Sequence, residues 1–558
     1  MRAVRDECLI ATKRFSNGFH SFTCLSAMCN GTDPCVTYRC FQLMWLFDAG
    51  LFAAAHVRGK LLDRHSAHPQ KVQEQTLRAL TRRAADTAFG REHRFAKIRD
   101  AQSFRERVPL RDYSALKPWL ARALAGERDV IWPGKIPYFG MSSGTTAGNK
   151  YLPISLASVS QQRRGGFEPI AAYLRAGGRR DLMSGAAILL GSTTELERRA
   201  SGVYVGDNTG IMARHIPPLL RHKQLPTPET RRMNNWDDKI VALAREAIDR
   251  DVRVIAGTPA WFTGLFDAVL QLAQERGYGA RTVTELWPRL RLLTGGGVRY
   301  APYRPRIEAR LGAEVPYFDV YNATEGGIMG VQDRMHDAAM RLLPDAGVFY
   351  ELIPLSELHA PAPRRLAMWE VEAGEVYALA VSTPSGLFAY VLGDCLRFVS
   401  TFPHRFVFEG RTKAFLNVCG EHVSQAELER AVAAACVGQG VVLTDFTVLA
   451  EVSESGIASH TYLIECDGPA PEAEQMANAI DVEVGRNNED YRTHRSSALS
   501  LAAPRVVLLP RGAFDRYMRA RGKLGGQHKV PRVIEDRALL RELMPSAHVT
   551  VERVPAAE

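Results

Sequence analysis

The sequence predicts an α/β protein, with a large N-terminal domain on mostly parallel sheets and a small α+β C-terminal domain. Three observations carry that expectation. Between about 186 and 327, short apolar runs that empty into small-residue loops alternate with helical stretches. After 374 the pattern changes to an antiparallel turn signal followed by a compact α+β stretch. The chain has 558 residues, 46% hydrophobic and 24% charged, with 45 Gly and 30 Pro. That suits a turn-rich enzyme of about two to four domains rather than a helical array.

Taken in order, residues 1–43 are polar, rich in Ser, Thr and Cys, and lack the apolar core of a secretory signal. FQLMWLFDAGLFAAAHV at 41–57 carries Asp48 and His56 and falls short of the roughly 20 apolar residues of a membrane span. It reads as an amphipathic first helix starting near Met44. Val72, Leu77, Leu80, Ala84 and Ala88 then share a helical face, with Gly90 as its expected stop.

The runs AAILLGSTTE (186–195), VRVIAGTPA (252–260), LRLLTGGG (290–297) and VPYFDVYNATEGG (315–327) read as buried strands with loops at their carboxyl ends. Helical patterns over 236–250 and 260–275 lie between them. GEVYALAVSTPSGLFAYVLGDCLRFVS (374–400) reads as two strands joined at Pro384-Ser385-Gly386. A helix at 425–435, strands near 440–449 and 460–466, a helix near 471–486 and a strand at 505–509 complete the small domain, with the boundary expected near 409–413.

The net charge of +10 is scattered, without a basic block or interleaved aromatics, and reads as a surface suited to anionic small molecules rather than nucleic acid. Five of nine cysteines lie in the first forty residues. The spacing of Cys24, Cys29, Cys35 and Cys40 is looser than the knuckles of structural zinc sites. The remainder resembles a protein of a reducing compartment.

Chemistry concentrates in the loops. MSSGTTAGNK (141–150) lacks the Walker pattern, yet its N–H groups, hydroxyls and lysine suit an anion; the same composition also makes plain turns. YNATEGG (321–327) sets an aromatic, a hydroxyl and a carboxylate at a strand end, where Glu325 offers a hard oxygen to Mg²⁺. VLGDC (391–395) places Asp394 after a glycine, with the geometry to take ribose hydroxyls or simply to turn. EGRTKAFLNVCGEHVSQAELE (409–429) runs from the boundary into a helix, as a hinge would.

These four blocks follow the order of the adenylate-forming superfamily. More closely, the chain resembles the acyl acid–amido synthetases of the auxin-responsive promoter family, through VIWPGK (130–135), SSGTTAGNKYLP, GDNTGI (206–211), GTPAW (257–261), TGGG (294–297), PSGLFAYVLGD (384–394), NEDYR (488–492) and GGQHKVPR (525–532). The resemblance spans roughly 70–555.

It implies a soluble, cytoplasmic ligase that uses ATP and Mg²⁺ to adenylate a carboxylic acid. The acyl group then passes to an amine, usually an amino acid, with release of AMP and pyrophosphate. It also implies an N-terminal extension (1–60) that is dispensable, a large ATP- and acid-binding domain (61–409) and a small mobile domain (410–558).

Carried over by residue, Ser142, Ser143, Gly144, Thr145, Thr146 and Lys150 would hold the ATP phosphates. Tyr321, Asn322, Ala323 and Thr324 would flank adenine and the α-phosphate, Glu325 would bind Mg²⁺, and Asp394 would hold ribose. Gly410, Arg411 and Lys413 would form the hinge. Lys529 would be the catalytic lysine of the small domain, with Lys523 as its rival. Phe388-Ala389-Tyr390-Val391 departs from the family's Tyr-Arg-Tyr-Arg, which argues against a plant-hormone substrate. A thiol-accepting acyl-CoA synthetase and a silent binding protein on the same fold are the competing readings.

Overall fold

The computed structural model describes residues 34–143, 149–221, 223–301, 303–358, 360–412, 416, 421, 423–452, 458–496, 501–520, 530–534 and 543. The large domain is built on one mixed sheet of twelve strands. Its order is Leu366–Ala367, Phe349–Pro354, Val376–Ser382, Tyr390–Thr401, His404–Arg411, Met340–Leu342, Gly327–Gln332, Tyr317–Ala323, Leu292–Gly296, Val252–Ala256, Ala186–Leu189 and Gln224–Leu225.

The four runs read as strands between 186 and 327 are neighbours here, and with Gln224–Leu225 they pair in parallel. Helices Trp236–Ala247 and Pro259–Glu275 bury their apolar faces against this half through Leu243, Phe262, Leu265 and Phe266.

Parallel order stops at Tyr317–Ala323, and the other pairings in the sheet are antiparallel. The cause is connection length. Thr324-Glu325-Gly326, Phe402-Pro403 and residues 383–389 are too short for the crossover of a dozen or more residues that a parallel neighbour needs. The sheet is therefore less parallel than the alternation of runs and helices suggested.

A separate four-stranded ribbon sheet holds Tyr138–Ser143 between Asn149–Ile154 and Tyr204–Gly206, with Glu197–Arg198 at its edge. Phe139, Leu152 and Val205 point from it into the main core, with exposures of 1% or less.

The first helix is Pro34–Ala67, ten residues longer at its start than expected. It is tied to the large domain along its length. Asp48, 6% exposed, accepts from Met183 N at 2.6 Å and from the Ser184 hydroxyl. Arg58 donates to Glu168 at 2.7 Å and makes a two-pronged pair with Asp345 at 2.6 and 2.9 Å. The expected boundary at residue 60 falls inside this helix. The next helix, Pro69–Arg83, stops earlier than expected; Gly90 lies within a further short helix, Ala88–Glu92, capped by Thr87.

The small domain has its own sheet in the order Arg505–Leu508, Ala458–Asp467, Val442–Val452, Val533–Ile534. Helices Gln425–Gly438 and Ala473–Asn487 cover it, burying Leu428, Val432, Met476 and Ile480 with Phe446 and Ile464. Ser424 and Glu427 form a capping box that starts the first of these helices.

Candidate active site

The parallel strands deliver their carboxyl ends to one rim, where open α/β sheets bind ligands. Backbone contacts fasten that rim. Gly257 N donates to Thr294 O at 3.0 Å, and the Thr294 hydroxyl donates to Phe318 O at 2.8 Å. GTPAW, TGGG and YNATE are thereby brought side by side.

The ribbon carrying the MSSGTTAGNK segment meets this rim at Gly140. A methyl group there would stand 2.6 Å from Thr324 Cγ2 and 3.9 Å from Asn208 Cβ, so only glycine permits the approach. The ribbon is antiparallel, with Ser142 opposite Lys150 and Ser143 opposite Asn149. Lys150 Nζ lies 5.6 Å from the centre of the Tyr113 ring, and the Tyr113 hydroxyl accepts from Tyr151 N at 2.9 Å. Gly144, Thr145 and Thr146 lie outside the described residues; Ser142 and Ser143 are described through their backbones.

Tyr321 and Asp394 come together at the back of the site. The Tyr321 hydroxyl donates to Asp394 Oδ2 at 2.7 Å, and the Arg411 guanidinium lies 3.1 Å from Asp394 Oδ1. Asp394 and Arg411 are cross-strand partners in the interior of the sheet, where the strand His404–Arg411 ends. The Tyr321 ring is 6% exposed and packs edge-on to Phe406 at 5.4 Å and near Phe408 at 6.2 Å. Asn322 is exposed, and Thr324 is buried under Gly140.

Charge is concentrated here. Burial pushes the Glu325 carboxyl above the usual carboxylate range, opposed by Arg411 and Lys150 and reinforced by Asp394. Burial likewise holds the Tyr321 phenol well above its ordinary value, with Asp394 adding to it. Asp394 raises the pKa of Arg411 against the cost of burial.

Asp394 Oδ1 is buried and accepts no hydrogen bond, so it has capacity for a hydroxyl donor such as ribose. Glu325, buried enough to be raised, would gain from a divalent cation. Mg²⁺ commonly takes one or two protein carboxylates and fills its shell from water and phosphate. Among the described residues no group of three or more His, Cys, Asp or Glu side chains forms a ready cation cage.

Sequence reasoning passed over a pair of glutamines on helix Leu156–Gly165. Gln161 donates to Gly326 O and Ala346 O, both at 2.8 Å. Gln162 accepts from Asn208 Nδ2 at 3.1 Å and donates to Ser158 at 3.2 Å. These buried amides tie the turn carrying Glu325 to the GDNTGI segment. Their adjacency on a helix downstream of the phosphate loop, together with the polar GDNTGI motif, was the available signal.

The Ala389 and Val391 positions, where the family carries arginine, serve packing. Ala389 is fully buried at φ 49°, its neighbour Phe388 packs on Phe89 and Phe95, and Val391 joins Ile353, Ala378 and Ala380. Of the residues expected to form a hinge, Gly410 is the penultimate residue of the strand His404–Arg411, at φ 137°, and Arg411 closes that strand. Lys413, Lys523 and Lys529 lie outside the described residues.

Three family models match: GH3 family N-terminal domain over residues 58–231, central domain over 341–411 and C-terminal domain over 426–538. The chain is 24% identical over 565 residues to the indole-3-acetic acid-amido synthetase GH3.3 of Arabidopsis thaliana, covering 87% of this chain and 92% of that one. It is 22% identical to a probable indole-3-acetic acid-amido synthetase, GH3.12, of Oryza sativa subsp. japonica, with 83% and 91% covered. In fold it is similar to the solved GH3.15 acyl acid amido synthetase, with TM-score 0.74, 20% identity, and 88% and 95% covered. It is also similar to a 2-hydroxyisobutyryl-CoA ligase in the postadenylation state, with TM-score 0.55, 15% identity, and 86% and 92% covered.

Proposed function

This chain belongs to the GH3 family, and from that premise we propose that it is an ATP-dependent acid–amido synthetase acting on a carboxylic acid and an amino acid. The observation that carries the reading is the convergence at Gly140. The phosphate-loop ribbon, Thr324 and the Glu325 turn abut there, within one site that also holds the Tyr321–Asp394 pair.

A carboxylate is a poor acyl donor, and adenylation supplies AMP as leaving group. The acid's carboxylate oxygen attacks the α-phosphorus of ATP and pyrophosphate departs. The amine nitrogen then attacks the acyl carbonyl, AMP leaves with the bonding electron pair, and the amine gives up a proton. The protein's part is placement and charge stabilisation.

In the proposed assignment, Ser142, Ser143, Gly144, Thr145, Thr146 and Lys150 cradle phosphates. Thr324 donates near the α-phosphate, and Asn322 and Ala323 line the adenine side. Tyr321 acts by holding Asp394, whose other oxygen, beside Arg411 but accepting no hydrogen bond, takes a ribose hydroxyl. Glu325 would hold Mg²⁺, which when bound neutralises phosphate charge. Gly410, Arg411 and Lys413 form the hinge, and Lys529, rather than Lys523, supplies the cation of the small domain. The proposed compartment is the cytoplasm, a reading supported by the unpaired thiols of Cys395, Cys436 and Cys466.

The test is pyrophosphate exchange across aryl, indolyl and fatty acids, followed by an amine panel on the best acid. AMP should accumulate together with amide. ADP as the nucleotide product overturns the assignment, and transfer to coenzyme A in preference to every amine replaces it with the thiol-acceptor reading.

A further inference from the structure

A charged network stands directly on the hinge glycine. A methyl group at Gly410 would lie 2.7 Å from Gln425 Cβ, so the end of the large sheet presses against the first helix of the small domain. One turn along that helix, Glu429 is 4% exposed. Its Oε1 accepts from Gln425 Nε2 at 2.8 Å and faces Arg532 Nε at 3.5 Å, while its Oε2 faces Arg299 Nε at 3.6 Å.

Arg299 belongs to the large domain, two residues beyond TGGG. Arg532 belongs to the small domain, where Val533 and Ile534 pair with Val448 and Leu449. The Arg532 guanidinium also binds Asp445 within its own domain and donates to Tyr303 of the large domain at 3.3 Å. Arg306 of the large domain lies 3.5 Å from Asp467.

A buried carboxylate between two guanidiniums from different domains is a discriminating contact. If the small domain turns about the hinge, Glu429 leaves Arg299 behind, and a buried charge loses half of its compensation. Glu429 Oε2 and Arg299 Nη1 are both buried and make no hydrogen bond, so the pair faces across a gap that a small rotation can tighten or open.

We propose that Glu429 is a positioning residue whose bridge between Arg299 and Arg532 selects the angle at which the small domain stands over the site. The proposal rests on the function proposed above only in its kinetic arm. Because the bridge joins the TGGG rim to the helix that abuts Gly410, weakening it alters which half-reaction the domain arrangement favours.

The experiment uses the full chain with Glu429→Gln, Arg299→Gln and the conservative Arg299→Lys. Labels at the exposed positions Val241 and Val437 report the interdomain distance by pulsed electron resonance. Thermal melting of each variant confirms folding. The wild type and Arg299→Lys should give one narrow distance. The two glutamine variants should show a second, separated population and change the ratio of pyrophosphate exchange to amide formation from supplied acyl-adenylate by about 5- to 10-fold.

An unchanged distance distribution in both folded glutamine variants overturns the bridge, whether or not the wild type proves to be a ligase. A shifted distance with an unchanged ratio in an active enzyme overturns the positioning role. If one glutamine variant fails to fold, the other decides the outcome.

Discussion

Tyr321 and Asp394 are 73 positions apart in sequence and share a 2.7 Å hydrogen bond at the back of the site. The phenol occupies one carboxylate oxygen and leaves the other facing Arg411 at 3.1 Å without a hydrogen bond. It therefore determines which lone pairs of Asp394 remain for a ligand.

Tyr321→Phe should keep the ring packed against Phe406 and Phe408 and so leave the melting temperature close to that of the wild type. A hydrogen bond to a charged acceptor contributes about 1.5–3 kcal/mol. The KM for ATP should rise ~10- to 100-fold with a smaller change in kcat. Steady-state kinetics with ATP varied decides this; a lowered kcat at unchanged KM would mean that the phenol acts in chemistry instead of holding Asp394.

Glu325→Gln and Asp394→Asn should both depress pyrophosphate exchange, by different routes. The first removes a hard oxygen charge, so raising magnesium from about 1 to 20 mM should restore part of the rate. The second weakens hydrogen bonding to a hydroxyl and leaves Arg411 facing a neutral amide, which added metal does not repair. Equal rescue of both would refute the separate roles.

Removal of residues 1–43 should leave activity nearly intact, whereas removal of 1–60 should not. The longer deletion strips Asp48 from Met183 and Ser184 and takes Arg58 from Glu168, which is 7% exposed. A buried carboxylate deprived of its partner costs about 3–5 kcal/mol. Chemical denaturation of the two truncated proteins should show that loss in the second alone.

Asp319 supplies a pH test. Burial pushes its carboxyl up to about 7, with the Tyr317 hydroxyl 3.3 Å away and Arg299 opposing the shift. Its folded pKa lies above its unfolded one, near 3.9, so the folded state binds the extra proton between those values. The resulting stabilisation is present at low pH and lost as pH rises through about 7. Asp319→Asn should therefore gain stability over the wild type at pH 8 relative to pH 5, by roughly 2–3 kcal/mol. Melting curves that differ by the same amount at both pH values would show that Asp319 does not titrate there.

The parallel half of the fold was legible because strands covered on both faces are predominantly apolar, as Val252–Ala256 and Leu292–Gly296 are apart from the buried Arg253 and Thr294. The nearness of Thr324 and Glu325 was legible because they follow directly on the strand Tyr317–Ala323, whereas Asp394, expected at a strand end, lies inside the strand Tyr390–Thr401. The use of Tyr321 was not legible. Which face of a strand a side chain takes depends on register, and a β-bulge interrupts the pairing beside Tyr321 between Ile328 and Gly330. Gln162 and Asn208 were hidden for a different reason. An amide on an amphipathic helix reads as solvent-facing, and its partner lies 46 residues away. The early start of the first helix was masked by the polar, Cys- and Thr-containing stretch after Pro34, whose composition carries little helical signal.

The twelve-stranded sheet bears on how this molecule deforms. It runs unbroken from Gln224–Leu225, past the ligand-facing rim, to His404–Arg411 and on to Leu366–Ala367. Shearing the large domain across its cleft would break a full ladder of backbone hydrogen bonds at once, so the sheet resists that motion along its whole width. Amide exchange should accordingly be slow and correlated from strand to strand through the sheet. The parallel-strand rim and the strand His404–Arg411, though distant along the chain, belong to one stiff plate.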